Sequence, residues 1–272
     1  MTKNLFAFDL DGTLLNSGKQ ISPANAAALQ EIVASGGIVA LASGRLASSV
    51  AQYTTDPAVD PAILTLNGAA VFRGKKHNNE LIYSARLEPD HVDFLIDYAH
   101  NKPYAFNFYH DGKLFSTRTG LSDKWIELYY NQTRTEYNFI DSFETLRGRS
   151  PFKIIFVGDP KELDREEESM KKTFDGSVYV VRSWDYYLEF LNPQANKARG
   201  LEALADAYSV DLDDVIAFGD ADNDIPMLQA AGRGIAMHNA TPGAKQAADS
   251  ISEWSNDEDA VAKEWERLKV EG

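Results

Sequence analysis

The 272-residue chain contains no cysteine. This excludes a disulfide framework and any thiolate-held zinc or iron–sulfur centre. Basic residues are scarce: 27 Lys and Arg stand against 41 Asp and Glu, a formal net charge of −14. So acidic a chain lacks the clustered cations that phosphate-backbone contacts need, which argues against a nucleic-acid partner. An anionic small substrate stays open, because screening acts over about 8 Å and a local cationic site overrides the global sign. Long apolar runs are missing too. The first run is ended by Asp9, short of a secretory h-region, and the uncharged stretch 32–44 is broken by Ser35-Gly36-Gly37. The expectation is therefore no membrane association and a cytoplasmic location. No internal repeat or low-complexity tract occurs. The charge-dense stretch 161–172 mixes both signs, as a solvated helix face does.

What is present alternates in a βα rhythm at both ends. Residues 5–9, 38–42 and 62–66 read as buried strands, and residues 23–35 and 46–53 as helices, the first opened by Ser22-Pro23 and stopped by Gly36-Gly37. The pattern changes near Val71. Hairpins are predicted at 71–73 with 80–83, at 104–110 with 113–117 around Asp111-Gly112, and at 178–182 with 186–191. Helices at 121–131 and 161–174 and a strand at 152–157 lie between them. After Asn192 the rhythm returns: helices at 198–208, 225–231 and 257–269, strands at 215–219 and 234–237. This predicts an α/β fold with a Rossmann-like parallel sheet core and helices on both faces. The core domain is expected at 1–84 and 186–272, with an inserted α+β domain at 85–185.

Two acidic segments follow predicted strands, where open α/β sheets bind ligands. In Asp9-Leu10-Asp11-Gly12-Thr13, two carboxylates can converge as the chain leaves the strand, one suited to nucleophilic attack and metal binding, the other to acid/base work. The bland alternative is a strand ending in an Asx turn. In Gly219-Asp220-Ala221-Asp222-Asn223-Asp224, four carboxyl or amide groups repel unless cations hold them, whereas helix capping needs only one. Oxygen-only ligands select a hard ion such as Mg²⁺. Neither segment is an EF-hand. From Asp220 the sixth and twelfth positions are Ile225 and Ala231 where Gly and Glu are required, and from Asp9 the twelfth is Gln20. Ser43-Gly44-Arg45 is a candidate phosphate loop at a helix start, although a plain Ser cap explains it alone. Lys197 opens a predicted helix, where a cation is mildly unfavourable and hints at an anionic neighbour. Asn67-Gly68 reads equally as a turn. The five histidines show no metal spacing, only His238 following a core strand, and no P-loop, dinucleotide or nucleophile-elbow motif is present.

Taken together, these residues resemble the haloacid dehalogenase superfamily, specifically its Cof-type sugar-phosphatase branch (subclass IIB). Asp9-x-Asp11-Gly12-Thr13, Ser43-Gly44-Arg45, Lys197 and Gly219-Asp220-x-x-Asn223-Asp224 occur in family order, joined by Asn67-Gly68 and Asn239-Ala240. The resemblance implies a phosphatase of small phosphorylated metabolites, such as sugar phosphates. Asp9 would be the nucleophile forming an aspartyl-phosphate, and Asp11 the acid/base. Mg²⁺ would be held by Asp9, the Asp11 carbonyl, Asp220 and Asp224. Leu10, Ser43, Gly44, Lys197 and Asn223 would bind the phosphoryl group. The inserted domain would be a cap that closes over the site and sets substrate choice, with Arg45, Asn67, Arg118, Arg182 and Tyr186 as candidate substrate contacts. The same chemistry admits a phosphomutase or phosphotransferase, and a non-enzymatic phosphate-sensing module is a third reading. Oligomeric state is not implied. Two departures stand out: Ala198 where Gly often follows the lysine, and Glu258-Asp259-Ala260-Val261 in place of Asp-Gly-Val.

Overall fold

The computed structural model describes residues 4–53 and 55–271. It divides into two compact units. One comprises the chain up to Ser84 together with the chain from Ala195, and the other is Ala85–Gln194. The first unit opens with β1 (Leu5–Asp9), α1 (Pro23–Ala34), β2 (Ile38–Ala42), the single turn α2 (Ala47–Val50), β3 (Ala62–Thr65), β4 (Ala70–Phe72) and β5 (Leu81–Ser84). The second contains α3 (Pro89–Ala99), β6 (Ala105–His110), β7 (Lys113–Ser116), α4 (Asp123–Thr133), β8 (Tyr137–Phe139), β9 (Lys153–Val157), α5 (Pro160–Phe174), β10 (Tyr179–Trp184) and β11 (Tyr187–Leu191). The chain then completes the first unit with α6 (Lys197–Tyr208), β12 (Val215–Gly219), α7 (Ile225–Ala230), β13 (Arg233–Ala236), α8 (Pro242–Ala247), β14 (Ser250–Ile251) and α9 (Ala260–Glu271).

The first unit's sheet runs β14-β13-β12-β1-β2-β3-β4-β5, parallel from β14 to β3, with β4 and β5 as an antiparallel edge. β1 is buried along its whole length, which is why Leu5-Phe6-Ala7-Phe8 carries no alternation. Side-chain parity assigns its faces. The Phe6 ring meets Trp265 of α9 edge-on at 5.5 Å, and α9 packs with α1. Asp9, of opposite parity, reaches Lys197 of α6, which packs with α7 on the other face. Leu5 pairs with Ile38 of β2 on one side and Val215 of β12 on the other. The chain thus leaves β1 in one direction and returns from the other, so the carboxyl end of β1 is a topological switch point.

The second unit is an α+β body on a six-stranded sheet, β10-β11-β9-β6-β7-β8, antiparallel apart from the β7–β8 pair. Val92 and Leu95 of α3 and Leu163 and Met170 of α5 close an apolar core over Phe108, Ile154, Phe156 and Phe190. α4 lies against the other face, its Tyr129 hydroxyl 2.5 Å from that of Tyr109.

Several elements differ from the sequence reading. Residues 46–53 form one α turn that tightens into a 3₁₀ turn, not a continuous helix. α3, β8, α8 and β14 had no counterpart among the expected elements. The expected closing helix at 257–269 begins only at Ala260, after a 3₁₀ turn ended by Asp259 at φ 58°. The expected boundary at 185/186 cuts a hairpin. β11 pairs with β10 and β9, so it belongs with the second unit, which extends to Gln194.

Candidate active site

The carboxyl ends of β1 and β12 bring acidic groups together. Asp9 ends β1, and Gly219 ends β12 beside it. Asp9, Asp220 and Asp224 each offer a carboxylate oxygen within 4.8 Å of the others. Lys197 enters this cluster from the first turn of α6, whose start is capped by the Asn196 side chain accepting from the Arg199 N–H. The lysine is 0% exposed. Its Nζ donates to Asp9 Oδ1 at 2.5 Å and also to Asp224 Oδ1. Burial works against its charge, but Asp224 and Asp9 outweigh this and hold it protonated. Burial and the Asp224 charge push the Asp9 carboxyl well above the usual range, against the pull of Lys197. Burial, then Asp224, pushes Asp220 up to about 6. Three carboxylates facing one ammonium leave negative charge in excess, and all the donors are oxygen. That set fits a hard divalent cation.

Neighbouring residues aim these ligands. The Thr13 hydroxyl donates to Asp220 Oδ1 at 3.0 Å. Asp224 Oδ2 accepts the backbone N–H groups of Asp220 and Ala221, each at 3.0 Å. The Asn239 amide holds the Gly12 carbonyl at 2.8 Å. Not all four side chains of the second acidic segment join the cluster, contrary to the charge-repulsion expectation. Asp222 accepts from the Thr241 hydroxyl at 2.6 Å, and Asn223 donates to Asn67 Oδ1 at 3.0 Å. Gly12 sits at φ 85°, and a Cβ there would lie 2.3 Å from Asp220 Oδ2. Gly12→Ala is therefore expected to swing Asp220 away. A divalent-cation titration followed by melting temperature should show the half-saturating concentration raised about tenfold or more, the size of shift that disturbing the surroundings of a metal ligand brings; an unchanged titration would contradict this geometry.

Asp11 occupies a different environment. It is half-buried, and Arg45 grips it through Nε at 2.7 Å and Nη2 at 2.6 Å, while Lys19 Nζ binds it at 2.8 Å. Partial burial works to raise its pKa, but the bonds from Arg45 and Lys19 prevail and hold the carboxyl below its ordinary value. Lys19, Thr13 and Asn239 were not singled out as site residues in the sequence reading. Lys19 stands at φ 58° in a turn closed by its N–H on the Asn16 carbonyl. An isolated surface lysine in such a turn carries no spacing signal. Thr13 and Asn239 lay inside quoted motifs, but their roles emerge only from contacts made across the fold.

On the other flank, Ser43 is buried and its hydroxyl accepts the Arg45 N–H at 3.2 Å, while its carbonyl accepts the Asn67 N–H. Gly44 lies under the Asn67 side chain, whose Oδ1 is 3.1 Å from where a Cβ on Gly44 would stand. Leu10 is buried, its carbonyl accepting from Leu15. His238 is exposed and makes a backbone bond to Trp254. The remaining candidates are engaged within the second unit. Arg118 lies 4.0 Å from Asp123 and over the Phe139 ring, Arg182 pairs with Asp164 at 3.1 Å, and the Tyr186 ring is 6.1 Å from that of Trp125.

The family model of the haloacid dehalogenase-like hydrolases matches residues 6–264. The chain belongs to the haloacid dehalogenase-like hydrolases, in their Cof-type branch. This hydrolase is 30% identical over 263 residues to a Haemophilus influenzae protein with a provisional phosphatase name, over 96% of each chain. It is 28% identical over 280 residues to the 5-amino-6-(5-phospho-D-ribitylamino)uracil phosphatase YwtE of Bacillus subtilis, over 94% of each. A solved haloacid dehalogenase-like hydrolase from Bacteroides thetaiotaomicron is similar with a TM-score of 0.87 and 30% identity, over 98% of this chain and 100% of that one. The two departures of this hydrolase from its family pattern are absorbed locally. Ala198 continues the first turn of α6, and Ala260, which stands in the glycine's place, opens α9 as a fully buried residue.

Proposed function

We propose that this haloacid dehalogenase-type phosphatase hydrolyses monoesters of small phosphorylated metabolites, sugar phosphates foremost, in the cytoplasm. The observation that carries the reading is the setting of Asp9, at the end of the central strand, within reach of two further carboxylates and bound to the buried Lys197. Asp9, Asp220, Asp224 and the Asp11 carbonyl would hold Mg²⁺. When bound, it neutralises the charge that keeps a carboxylate from a phosphate dianion. Asp9 then attacks phosphorus, the ester P–O bond breaks, and the leaving alcohol takes a proton from Asp11. In the second half, water attacks the aspartyl-phosphate, Asp11 takes its proton, and inorganic phosphate departs with Asp9 restored. Lys197, Ser43 and Asn223 steady the phosphoryl oxygens as charge spreads over them. The grip of Arg45 and Lys19 favours ionised Asp11, which suits the second half. For the first half, Asp11 must be released from that pair and protonated.

The family and the relatives' names support hydrolysis over transfer. The test is a panel of sugar phosphates, p-nitrophenyl phosphate and the phosphorylated ribitylamino-uracil, with MgCl₂ or with EDTA. Free phosphate released only with the metal is expected. An isomeric phosphate ester as product, or full turnover in EDTA, would overturn the reading.

The cluster also predicts how metal and pH combine in stability. Asp220 titrates at about 6 in the fold, above the roughly 3.9 of an unfolded aspartate. Between those values the native state holds more protons than the unfolded state, so stability falls as pH rises through the window. A cation that replaces the proton removes this penalty. The melting-temperature gain from saturating MgCl₂ should be larger at about pH 7.5 than at about pH 5; equal gains would count against metal binding at these carboxylates.

A further inference from the structure

We propose that Asn67 is a positioning residue of the phosphoryl site, the centre of a left-handed tripeptide that ties together the three segments bearing Ser43, Asn223 and Lys197. The inference rests on the reading that those residues hold the phosphoryl group, and assigns the means by which they are kept in register. Leu66, Asn67 and Gly68 follow β3 with φ of 53°, 56° and 89°. Three successive left-handed residues are unusual. Glycine adopts the conformation freely and asparagine tolerates it, but leucine does so only at an energetic cost. Leu66 is buried, and its burial holds the run in place.

The bend sends the groups of the tripeptide to three segments. The N–H groups of Leu66 and Asn67 donate to the carbonyls of Arg45 and Ser43, both at 3.1 Å. Asn67 Oδ1 accepts from Asn223 Nδ2 at 3.0 Å. Gly68 lies so close to the start of α6 that a Cβ on it would stand 2.2 Å from the Asn196 carbonyl oxygen and 3.2 Å from the Lys197 nitrogen. Segments more than 150 positions apart in sequence are thus fixed by three consecutive residues. The Asn67 amide oxygen is committed to Asn223. Its effect on the substrate therefore runs through Asn223 and the Ser43 loop, and not through the leaving alcohol.

Asn67→Gly separates these roles, because glycine keeps the left-handed backbone while deleting the side chain. The expected result is a loss in kcat of about tenfold, the worth of one positioning hydrogen bond, with the same factor for p-nitrophenyl phosphate and a sugar phosphate. In an Asn223→Ala background the same change should cost less than about twofold, because the contact is already gone. Asn223→Ala reads the contact from its other side without disturbing the left-handed run, and must also lower kcat equally for both esters. Calorimetry with inorganic phosphate and MgCl₂ should show weaker binding to Asn67→Gly than to the wild type. A penalty that varies with the leaving alcohol, or one that simply adds to that of Asn223→Ala, would overturn the proposal. If the wild type hydrolysed no ester while phosphate binding still weakened on Asn67→Gly, the phosphatase reading would fail and the positioning role would stand. If esters were hydrolysed and Asn67→Gly behaved as wild type in both measurements, the reverse would hold.

Discussion

Asp9→Asn is expected to lower kcat by about 10³-fold or more, because an amide oxygen is too weak a nucleophile to form the proposed aspartyl-phosphate. The change is nearly isosteric, so shape survives while chemistry does not. Folding should survive as well. Asp9 is a carboxylate whose pKa burial and Asp224 hold high, so neutralising it relieves repulsion, and Lys197 keeps Asp224 as a partner. The variant should melt at or above the wild-type temperature without metal while failing to release phosphate from p-nitrophenyl phosphate. Turnover at the wild-type rate would remove Asp9 as nucleophile. A protein that did not fold would show instead that Asp9 is chiefly structural.

Lys197→Met should produce the largest loss of stability. The side chain is fully buried and bonded to two carboxylates. Removing one partner of a buried ion pair costs about 3–5 kcal/mol, because charge is left uncompensated in the interior. Methionine fills the space of the stem, so the loss reports the ammonium and not a cavity. The sign with pH follows from the partners. Without the lysine, which pulls the Asp9 carboxyl down, Asp9 is pushed up further, the native state binds more protons than the unfolded one, and the penalty grows as pH rises. Urea unfolding at about pH 5 and about pH 7.5 should show the larger destabilisation at the higher value. Saturating MgCl₂ should recover part of the stability, and turnover should stay at least about 100-fold down, since the proposed charge clamp on the phosphoryl oxygens is gone. Equal destabilisation at both pH values would mean that the cluster is already protonated or solvated.

The catalytic strands were readable because they obey strong local rules. Leu5–Asp9, Ile38–Ala42 and Val215–Gly219 are short apolar runs ending in acidic or hydroxyl-bearing turns, and their ends meet as the strand order requires. The Asp9–Asp220–Asp224 cluster was legible for the same reason, since Asp9 ends one apolar strand and Asp220 and Asp224 follow another, which the fold pairs with it. What escaped has weaker local causes. α3 has Pro89 at its first turn and Val92, Leu95 and Ile96 on one face, but its capping position is Glu88, which makes no side-chain cap bond. β8 and β14 have only three and two residues, too few for a period-2 pattern to show. The bond of Lys19 to Asp11 needs two turns to approach in space, and the division of Asp222 to Thr241 and Asn223 to Asn67 depends on neighbours set by the sheet. Spacing named the acidic segment correctly, but only the fold decides which of its members face the cluster.

The pairing of Leu5 with Val215 bears on how the chain is born. During synthesis β1 emerges long before β12, and one of its two ladders needs that strand, more than two hundred residues later. Until then the apolar run Leu5-Phe6-Ala7-Phe8 of this strand has an open edge, the kind of surface that recruits other chains. A growing polypeptide that ends before residue 197 owns Asp9 and Asp11 but neither the lysine nor Asp220 and Asp224, so on the proposed mechanism an unfinished copy has no complete site.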